Sequence, residues 1–120
     1  MGRLLVHLAT GTENPTRAAL AFLVARSALS AGHAVDLFIA GDGVAVLRPE
    51  TLEAGHGIGT GSLREHADAL VAGGATIYAS GMSSKARGLT VEGLGGLPVT
   101  MAPPDKLVEL AFAADRTLTY

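Results

Sequence analysis

The sequence predicts an α/β fold, a three-layer α/β/α sandwich around a mostly parallel five-stranded sheet. Two observations support this fold class, and a third bears on the number of domains. Short apolar runs alternate along the chain with longer segments of helical periodicity, which is the order that a parallel sheet requires. The strand-like runs are apolar at nearly every position, as in strands that are buried on both faces. The chain has 120 residues, of which 48% are hydrophobic, so we expect one globular domain over residues 1–120.

The first strand, helix and strand are predicted over residues 3–41. Residues 3–9 (RLLVHLA) form an apolar run that is typical of a strand. Asn14 can cap a helix and Pro15 fits its first turn, so a helix is predicted from Pro15 to about Ala31, with Gly32 ending it. The branched and aromatic residues of AVDLFIAG then predict the second strand.

The middle of the chain has weaker patterns. VAVL at 44–47 predicts one helical turn, and the glycine-rich stretch RPETLEAGHGIGTG at 48–61 predicts a long loop because it has no clear periodicity. Its GHGIGTG segment does not follow a strand and lacks the lysine and hydroxyl of a P-loop, so a phosphate cradle is not indicated. Ser62 and Glu65 match a capping box and predict a helix over residues 63–72.

The last third of the chain completes the alternation. ATIYA at 75–79 predicts the third strand, and a helical segment with interrupting glycines is expected around Lys85 to Gly95. LPVTM at 97–101 predicts the fourth strand. Pro103 and Pro104 open a helix that is predicted to run to about Ala114, and RTLTY closes the chain as the fifth strand.

Composition excludes several classes of function. The net charge is −2 and the basic residues are scattered, so neither nucleic acid nor a membrane is an expected partner. The chain has no cysteine, which excludes disulfides, thiolate nucleophiles and cysteine-ligated metals and mildly favours the cytoplasm. The four histidines form no HExxH-like pair, so no metal site is predicted, and no cofactor motif is present.

The first predicted helix points to self-association. Arg17 and Arg26 are nine positions apart, which places them on opposite sides of a helix at about 100° per residue. The helix therefore has no single polar face. A helix that is apolar most of the way round predicts a homo-oligomer that forms through it.

The candidate site lies at the carboxyl ends of the strands. In parallel sheets the ligand crevice forms there, so residues 10–14, 41–43, 80–85 and 102–105 are expected to gather at one edge. Free helix N–H groups and cationic side chains at this edge favour a small anionic ligand, although the same features occur in structural helix caps. The candidate ligand-binding residues are Thr10, Thr12, Asn14, Ser80, Gly81, Ser83, Ser84, Lys85 and Arg87, with His7 as an additional candidate.

Two residue types at this edge carry groups that enzymes use in catalysis. His7 lies in an apolar strand just before the crevice, where it is either a hydrogen-bonded structural histidine or an acid or base. The segment GMSSK at 81–85 is neither GxSxG nor SxxK, and no base can be identified for its hydroxyls. No catalytic residue is predicted.

Three segments resemble one known family when they are taken together. HLATGTENPTRAALAFLVARSALSAGHAVDLFIAGDGV, IYASGMSSKARGL and DKLVELAFAADRTLTY are similar, in order and spacing, to the DsrE/DsrF-like family. The resemblance implies a parallel five-stranded α/β/α sandwich in the cytoplasm that assembles as a trimer or hexamer. It also implies a relation to proteins that pass persulfide sulfur.

The resemblance also identifies a departure at the loop after the third strand. Many relatives carry a CxxC-like pair just before A-R-G, and in ASGMSSKARG the serines Ser80 and Ser83 stand in those places. A serine hydroxyl neither ionises near neutral pH nor carries sulfane sulfur. We therefore expect a non-catalytic binder of a small ligand or partner. The alternative is an enzyme that uses His7 with a loop serine, or a sulfur-relay component that acts with a cysteine-bearing partner.

Overall fold

The structure, a computed structural model, describes all 120 residues and confirms the predicted three-layer sandwich. Five strands form one sheet: β1 (Arg3–Leu8), β2 (Ala34–Ile39), β3 (Thr76–Ser80), β4 (Val99–Ala102) and β5 (Arg116–Thr119). Their order is β4-β3-β2-β1-β5, and every neighbouring pair is parallel. The helices are α1 (Pro15–Ser30), α2 (Pro49–Ala54), α3 (Leu63–Ala72), α4 (Gly81–Ala86) and α5 (Pro104–Ala113). No helix combines the length and the hydropathy that a bilayer span requires.

The two faces of the sheet differ in how well they are covered. On one face Val6, Leu37, Ile77 and Val99 lie side by side in register, and they belong to a core cluster of 23 buried residues that includes α1 and α3. On the other face α5 covers a cluster of only four buried residues, which are Leu5, Phe38, Ala102 and Leu110. Most of the apolar burial therefore lies on the α1 and α3 side.

The apolar character of α1 is explained by contacts within the chain. Its buried residues are Ala18, Ala19, Ala21, Phe22 and Ala25, and the helix packs against β1, β2, α3 and the segment around His56. Contact on several sides accounts for much of the apolar sequence of α1, whereas Leu20, Leu23 and Val24 remain partly exposed, so self-association through α1 stays a prediction. More strongly exposed apolar side chains lie on α5, where Phe112 is 88% exposed and Val108 is 56% exposed.

Helix caps that depend on neighbouring residues were predicted correctly. The Asn14 side chain accepts a hydrogen bond from the Arg17 N–H at 3.1 Å, and the Ser62 hydroxyl accepts one from the Glu65 N–H at 3.2 Å. Both side chains satisfy N–H groups that have no partner inside their helix. These contacts fix the start of α1 and α3.

The predicted long loop at 48–61 is wrong. Pro49 opens α2, whose Leu52 is fully buried, and residues His56–Gly57 pair with Gly61–Ser62 in a small antiparallel hairpin. Gly59 and Gly61 have φ values of +74° and +85°, a conformation that glycine adopts without steric cost. The short α2 and the two-residue strands are too brief to produce a readable hydrophobic period.

The predicted helix around 85–95 is also misplaced. Helix α4 begins at Gly81 and ends at Ala86, and only a 3₁₀ turn forms at Val91–Gly93. Ser80 caps α4 at its start, and Gly88, which follows the end of α4, has a φ of +68°. The serine-rich stretch is therefore itself the helix that follows β3.

Candidate functional site

The carboxyl-end connections meet as the parallel topology predicts. The Ser83 hydroxyl accepts a hydrogen bond from the Gly41 N–H at 2.9 Å. The Arg87 guanidinium pairs with the Asp42 carboxylate at 2.7 Å. A Cβ atom on Gly11 would collide with the backbone oxygen of Asp42, so the turn after β1 also touches the turn after β2. One continuous edge is thereby built from the ends of β1, β2 and β3.

Two serines of the loop hold it in place. The Ser80 hydroxyl accepts from the Ser83 N–H at 3.1 Å and caps α4. The Ser83 hydroxyl in turn accepts from Gly41 of the neighbouring connection. Each oxygen is thus occupied by a backbone donor, which is the ordinary use of serine at a helix start. These hydroxyls are structural groups in this fold.

Ser84 differs from the other two serines. It is 1% exposed, and its hydroxyl has no hydrogen-bond partner in the chain. A buried polar group without a partner is uncommon and destabilises a protein by roughly 1–3 kcal/mol. Ser84 borders a cleft of about 460 Å³, whose other lining residues are Gly81, Lys85, Gly88, Leu89, Thr90, Val91 and Met101. We call this the serine cleft.

Lys85 supplies the only charge of the serine cleft. Its side chain is exposed and takes part in none of the ion pairs of the chain. The remaining walls combine the Thr90 hydroxyl with the apolar side chains of Leu89, Val91 and Met101. This cleft can therefore offer a cation, hydroxyl groups and an apolar surface to one small ligand.

Arg87 and Thr12 belong to a different cleft. They line a polar surface depression of about 520 Å³ together with Glu13, Asp42, Ala45 and Arg48. Its two arginines face two carboxylates, and Arg87 is already paired with Asp42. Arg48 donates to the Arg87 carbonyl at 3.2 Å, so of the two arginines only Arg48 has no carboxylate partner.

Thr10 and Asn14 have structural positions. Thr10 is 8% exposed at the end of β1, and Asn14 is occupied as the cap of α1. Neither residue lines the serine cleft or the polar depression around Arg87. They shape the turn after β1 without facing a ligand-sized space.

His7 lies apart from the serines. It is half-buried on the face that α5 covers, with its ring edge-on to Phe38 at a centroid distance of 6.4 Å. Burial lowers the pKa of the His7 imidazole, because desolvation penalises the charged ring. In register, His7 pairs with Phe38 and Phe38 with Tyr78, so β2 separates it from the strand that leads to the serine loop. A His7–serine pair is therefore not formed.

A further cleft was missed by sequence reasoning. It has a volume of about 380 Å³ and lies between the turn after β1 and α2, with lining residues Gly11, Thr12, Pro15, Val46, Glu50, Thr51, Ala54, Gly55, His56 and Leu63. We call this the α2 cleft. Pro49 followed by Glu50 is a recognisable helix start, and that signal could have revealed the wall that α2 forms.

No group of three or more histidine, aspartate and glutamate side chains is placed to hold a metal ion.

The sequence model of the DsrE/DsrF-like family matches residues 3–120 of this chain. The chain belongs to the DsrE/DsrF-like family. No curated protein matches this DsrE/DsrF-like chain in sequence.

Solved structures share the same fold at low sequence identity. The ychN protein from E. coli has 16% identity and a TM-score of 0.84, with 100% of both chains covered. Protein MTH1491 from Methanobacterium thermoautotrophicum has 15% identity and a TM-score of 0.75, also over 100% of both chains. Protein BT1422 from Bacteroides thetaiotaomicron has 15% identity and a TM-score of 0.74, over 99% of this chain and 95% of its own. At these identities the likeness concerns the fold alone.

Proposed function

We propose that this DsrE/DsrF-like chain is a non-catalytic binding protein that takes a small anionic ligand in the serine cleft. The observation that carries the proposal is the Ser84 hydroxyl, which is buried beside the cleft and has no partner in the protein. A ligand oxygen that accepted a hydrogen bond from this O–H group, after the Ser84 side chain turned toward the cleft, would satisfy it. Binding would then recover the free energy that the isolated hydroxyl costs the ligand-free protein.

The charge and shape of the serine cleft support an anion with an apolar part. Lys85 is the only charged residue in its lining, and it has no carboxylate partner. The apolar side chains of Leu89, Val91 and Met101 offer a surface that an inorganic ion could not use. A small carboxylate with an apolar body fits both features.

The state of the other serines argues against catalysis. Ser80 and Ser83 stand where the family resemblance places cysteines, and both hydroxyls accept from backbone N–H groups. A nucleophile needs a base within hydrogen-bond reach, and His7 packs against Phe38 in the strand order beyond β2. Sulfur transfer through this chain would require the cysteine of a partner.

The test is a thermal-shift titration with benzoate, using neutral benzyl alcohol as the matched compound. We expect benzoate alone to raise Tm in a saturable way, since a ligand that binds only the folded state stabilises it. Lys85→Met should abolish most of the shift. Gly81→Val should narrow the cleft, because Gly81 lines it. The fold has room for this substitution, since a Cβ atom at Gly81 meets nothing closer than 3.9 Å. Equal shifts for both compounds, or shifts that survive both substitutions, would exclude the proposal.

We also propose that the protein is a cytoplasmic homo-oligomer, a trimer or a hexamer. Support comes from α5, where Val108 and Phe112 lie one helical turn apart and are both exposed, and from β5, all of whose residues are exposed at the edge of the sheet. Exposed apolar side chains next to a free strand edge are typical of association surfaces. Sedimentation equilibrium at micromolar concentration should give a multimeric mass that Phe112→Ser reduces, and a monomeric native mass would refute the assembly.

A further inference from the structure

We propose a second ligand site in the α2 cleft, where the turn after β1 faces α2, and we assign to it a small amine that carries an apolar group. The site uses other residues than the serine cleft and has the opposite charge preference. It therefore extends beyond the proposed function and can succeed or fail independently of it.

The α2 cleft has the form of a small-molecule site. Its floor is made by Val46 and Leu63, which are both 1% exposed, and Pro15 and Ala54 extend the apolar lining. Its volume of about 380 Å³ lies within the range of roughly 300–1,000 Å³ that ligand pockets occupy. A floor of core side chains gives an apolar ligand group a surface that water solvates poorly.

The polar groups around this floor are mainly acceptors. Glu50 forms none of the ion pairs of the chain. The His56 ring places Nδ1 at 3.1 Å from the Ala54 carbonyl, so Nδ1 is the donor and Nε2 of the neutral ring is left as an acceptor. The hydroxyls of Thr12 and Thr51 complete the rim. Carboxylate, imidazole and hydroxyl acceptors match the three N–H donors of an ammonium group.

The charge of the cleft selects the same ligand class. Glu50 is the only carboxylate of the lining, and no lysine or arginine is present. An ammonium ion would meet a free carboxylate there, whereas a carboxylate ligand would meet repulsion. The serine cleft, with Lys85 as its only charge, has the reverse preference.

The walls of the α2 cleft are held in position before any ligand arrives. The Gly55 N–H donates to the Thr51 carbonyl at 2.8 Å, and the Leu63 N–H donates to the Gly55 carbonyl at 3.0 Å. The hairpin is tied to α1 through Thr16, whose hydroxyl accepts from the Ile58 N–H at 3.0 Å. A site that is already ordered binds its ligand without the loss of conformational entropy that loop ordering requires.

Binding can be tested by NMR with the full chain and benzylamine as the probe. We expect saturable shifts of the amide signals of Gly11, Thr12, Gly55 and His56, with benzyl alcohol and benzoate giving much smaller changes at equal concentration. Glu50→Gln should weaken benzylamine binding about fivefold, as for an exposed ion pair. Glu53→Gln is the control, because Glu53 lies on the same helix but pairs with Arg64 and does not line the cleft.

A second variant separates shape from charge. Ala54 is exposed and lines the cleft, so Ala54→Leu should fill it and abolish the benzylamine shifts while the remaining spectrum keeps its dispersion. The proposal is overturned if benzylamine causes no saturable shifts, if benzoate shifts the same amides equally, or if Glu50→Gln binds as well as Glu53→Gln. None of these outcomes bears on benzoate binding to the serine cleft.

Discussion

The hydroxyl oxygen of Ser83 accepts a hydrogen bond from the Gly41 N–H, with 2.9 Å between the nitrogen and the oxygen, although the two residues are 42 positions apart in the sequence. Together with the Arg87–Asp42 ion pair at 2.7 Å, this contact joins the connection after β2 to the helix after β3. It also occupies one acceptor position of the Ser83 oxygen, which leaves the O–H donor and a second lone pair of this hydroxyl. The carboxyl edge of the sheet therefore contains both contacts that hold the connections together and open surface.

Loss of the hydrogen bond between Gly41 and Ser83 should destabilise the protein. Ser83→Ala leaves the Gly41 N–H without its acceptor, and we expect the free energy of unfolding to fall by about 1 kcal/mol. Urea denaturation measures the loss, and amide hydrogen exchange should be faster at Gly41 than in the native chain. Unchanged exchange at Gly41 would show that the hydroxyl does not protect this N–H.

Ser84→Ala should have the opposite effect. The substitution removes a buried hydroxyl that has no partner, and alanine is also the better helix former. We expect stability to rise by up to about 1 kcal/mol in the ligand-free protein. The same variant should lose the Tm increase that benzoate produces. A destabilised Ser84→Ala protein would mean that the hydroxyl has a partner in solution.

Local signals explain how much of the fold could be predicted. Asn14 and Ser62 cap helices through N–H groups three residues away, so the sequence around them contains the whole interaction. The hairpin at 56–62 depends instead on Thr16, more than 40 positions earlier. Nothing in GHGIGTG indicates that partner, and the stretch was consequently predicted as a loop.

The close approach of two backbones at Gly11 gives another prediction. A Cβ atom at this position would overlap the backbone oxygen of Asp42, which cannot move without shifting the connection after β2. Gly11→Ala should therefore cost roughly 1–3 kcal/mol, as other overpacking substitutions do. Gly81→Ala is the matched control, since its Cβ has free space. Equal stabilities of the two variants by thermal denaturation would contradict this contact.

His7 should make stability depend on pH. Because burial lowers its pKa in the folded chain, the unfolded chain binds the proton first as the pH falls below the ordinary value of about 6.5. Stability is then lost from that value downward and levels off below the folded pKa. His7→Gln should remove this part of the slope, as measured by Tm against pH. NMR titration of the His7 ring should give a midpoint below 6.5, and a midpoint above it would contradict the burial effect.

The convergence of the strand-end connections was predicted correctly, whereas their hydrogen-bond pattern was not. The carboxyl-end rule correctly brings together the turn after β1, the 3₁₀ segment Gly41–Leu47 that follows β2, and the serine loop, since it depends only on parallel strand order. Which hydroxyls are free depends on tertiary pairing, as the difference between Ser83 and Ser84 shows. The same limit applies to Asp36, which is buried in the apolar β2 and pairs with Arg3 at 2.7 Å. A contact between strands cannot be read from either strand alone.

The hairpin beside the α2 cleft depends on His66, and this contact gives the last prediction. His66 is buried on α3, with Nε2 at 2.7 Å from the Thr60 carbonyl and Nδ1 facing Arg26 at 3.4 Å. His66→Phe keeps an aromatic ring but removes the N–H donor, so the Thr60 carbonyl loses its hydrogen-bond partner. We expect a loss of roughly 1–2 kcal/mol and a hairpin that opens more often than the core.

Limited proteolysis with thermolysin, which cleaves before large apolar residues, detects that opening at Ile58, the exposed tip of the hairpin. Cleavage there should be faster in His66→Phe while the circular dichroism spectrum is unchanged. His56→Ala is the control, because the exposed His56 side chain makes its hydrogen bond to the nearby Ala54 carbonyl and none to α3. If both variants were cleaved at the native rate, Thr16 alone would hold the hairpin, and the wall of the α2 cleft would not depend on α3.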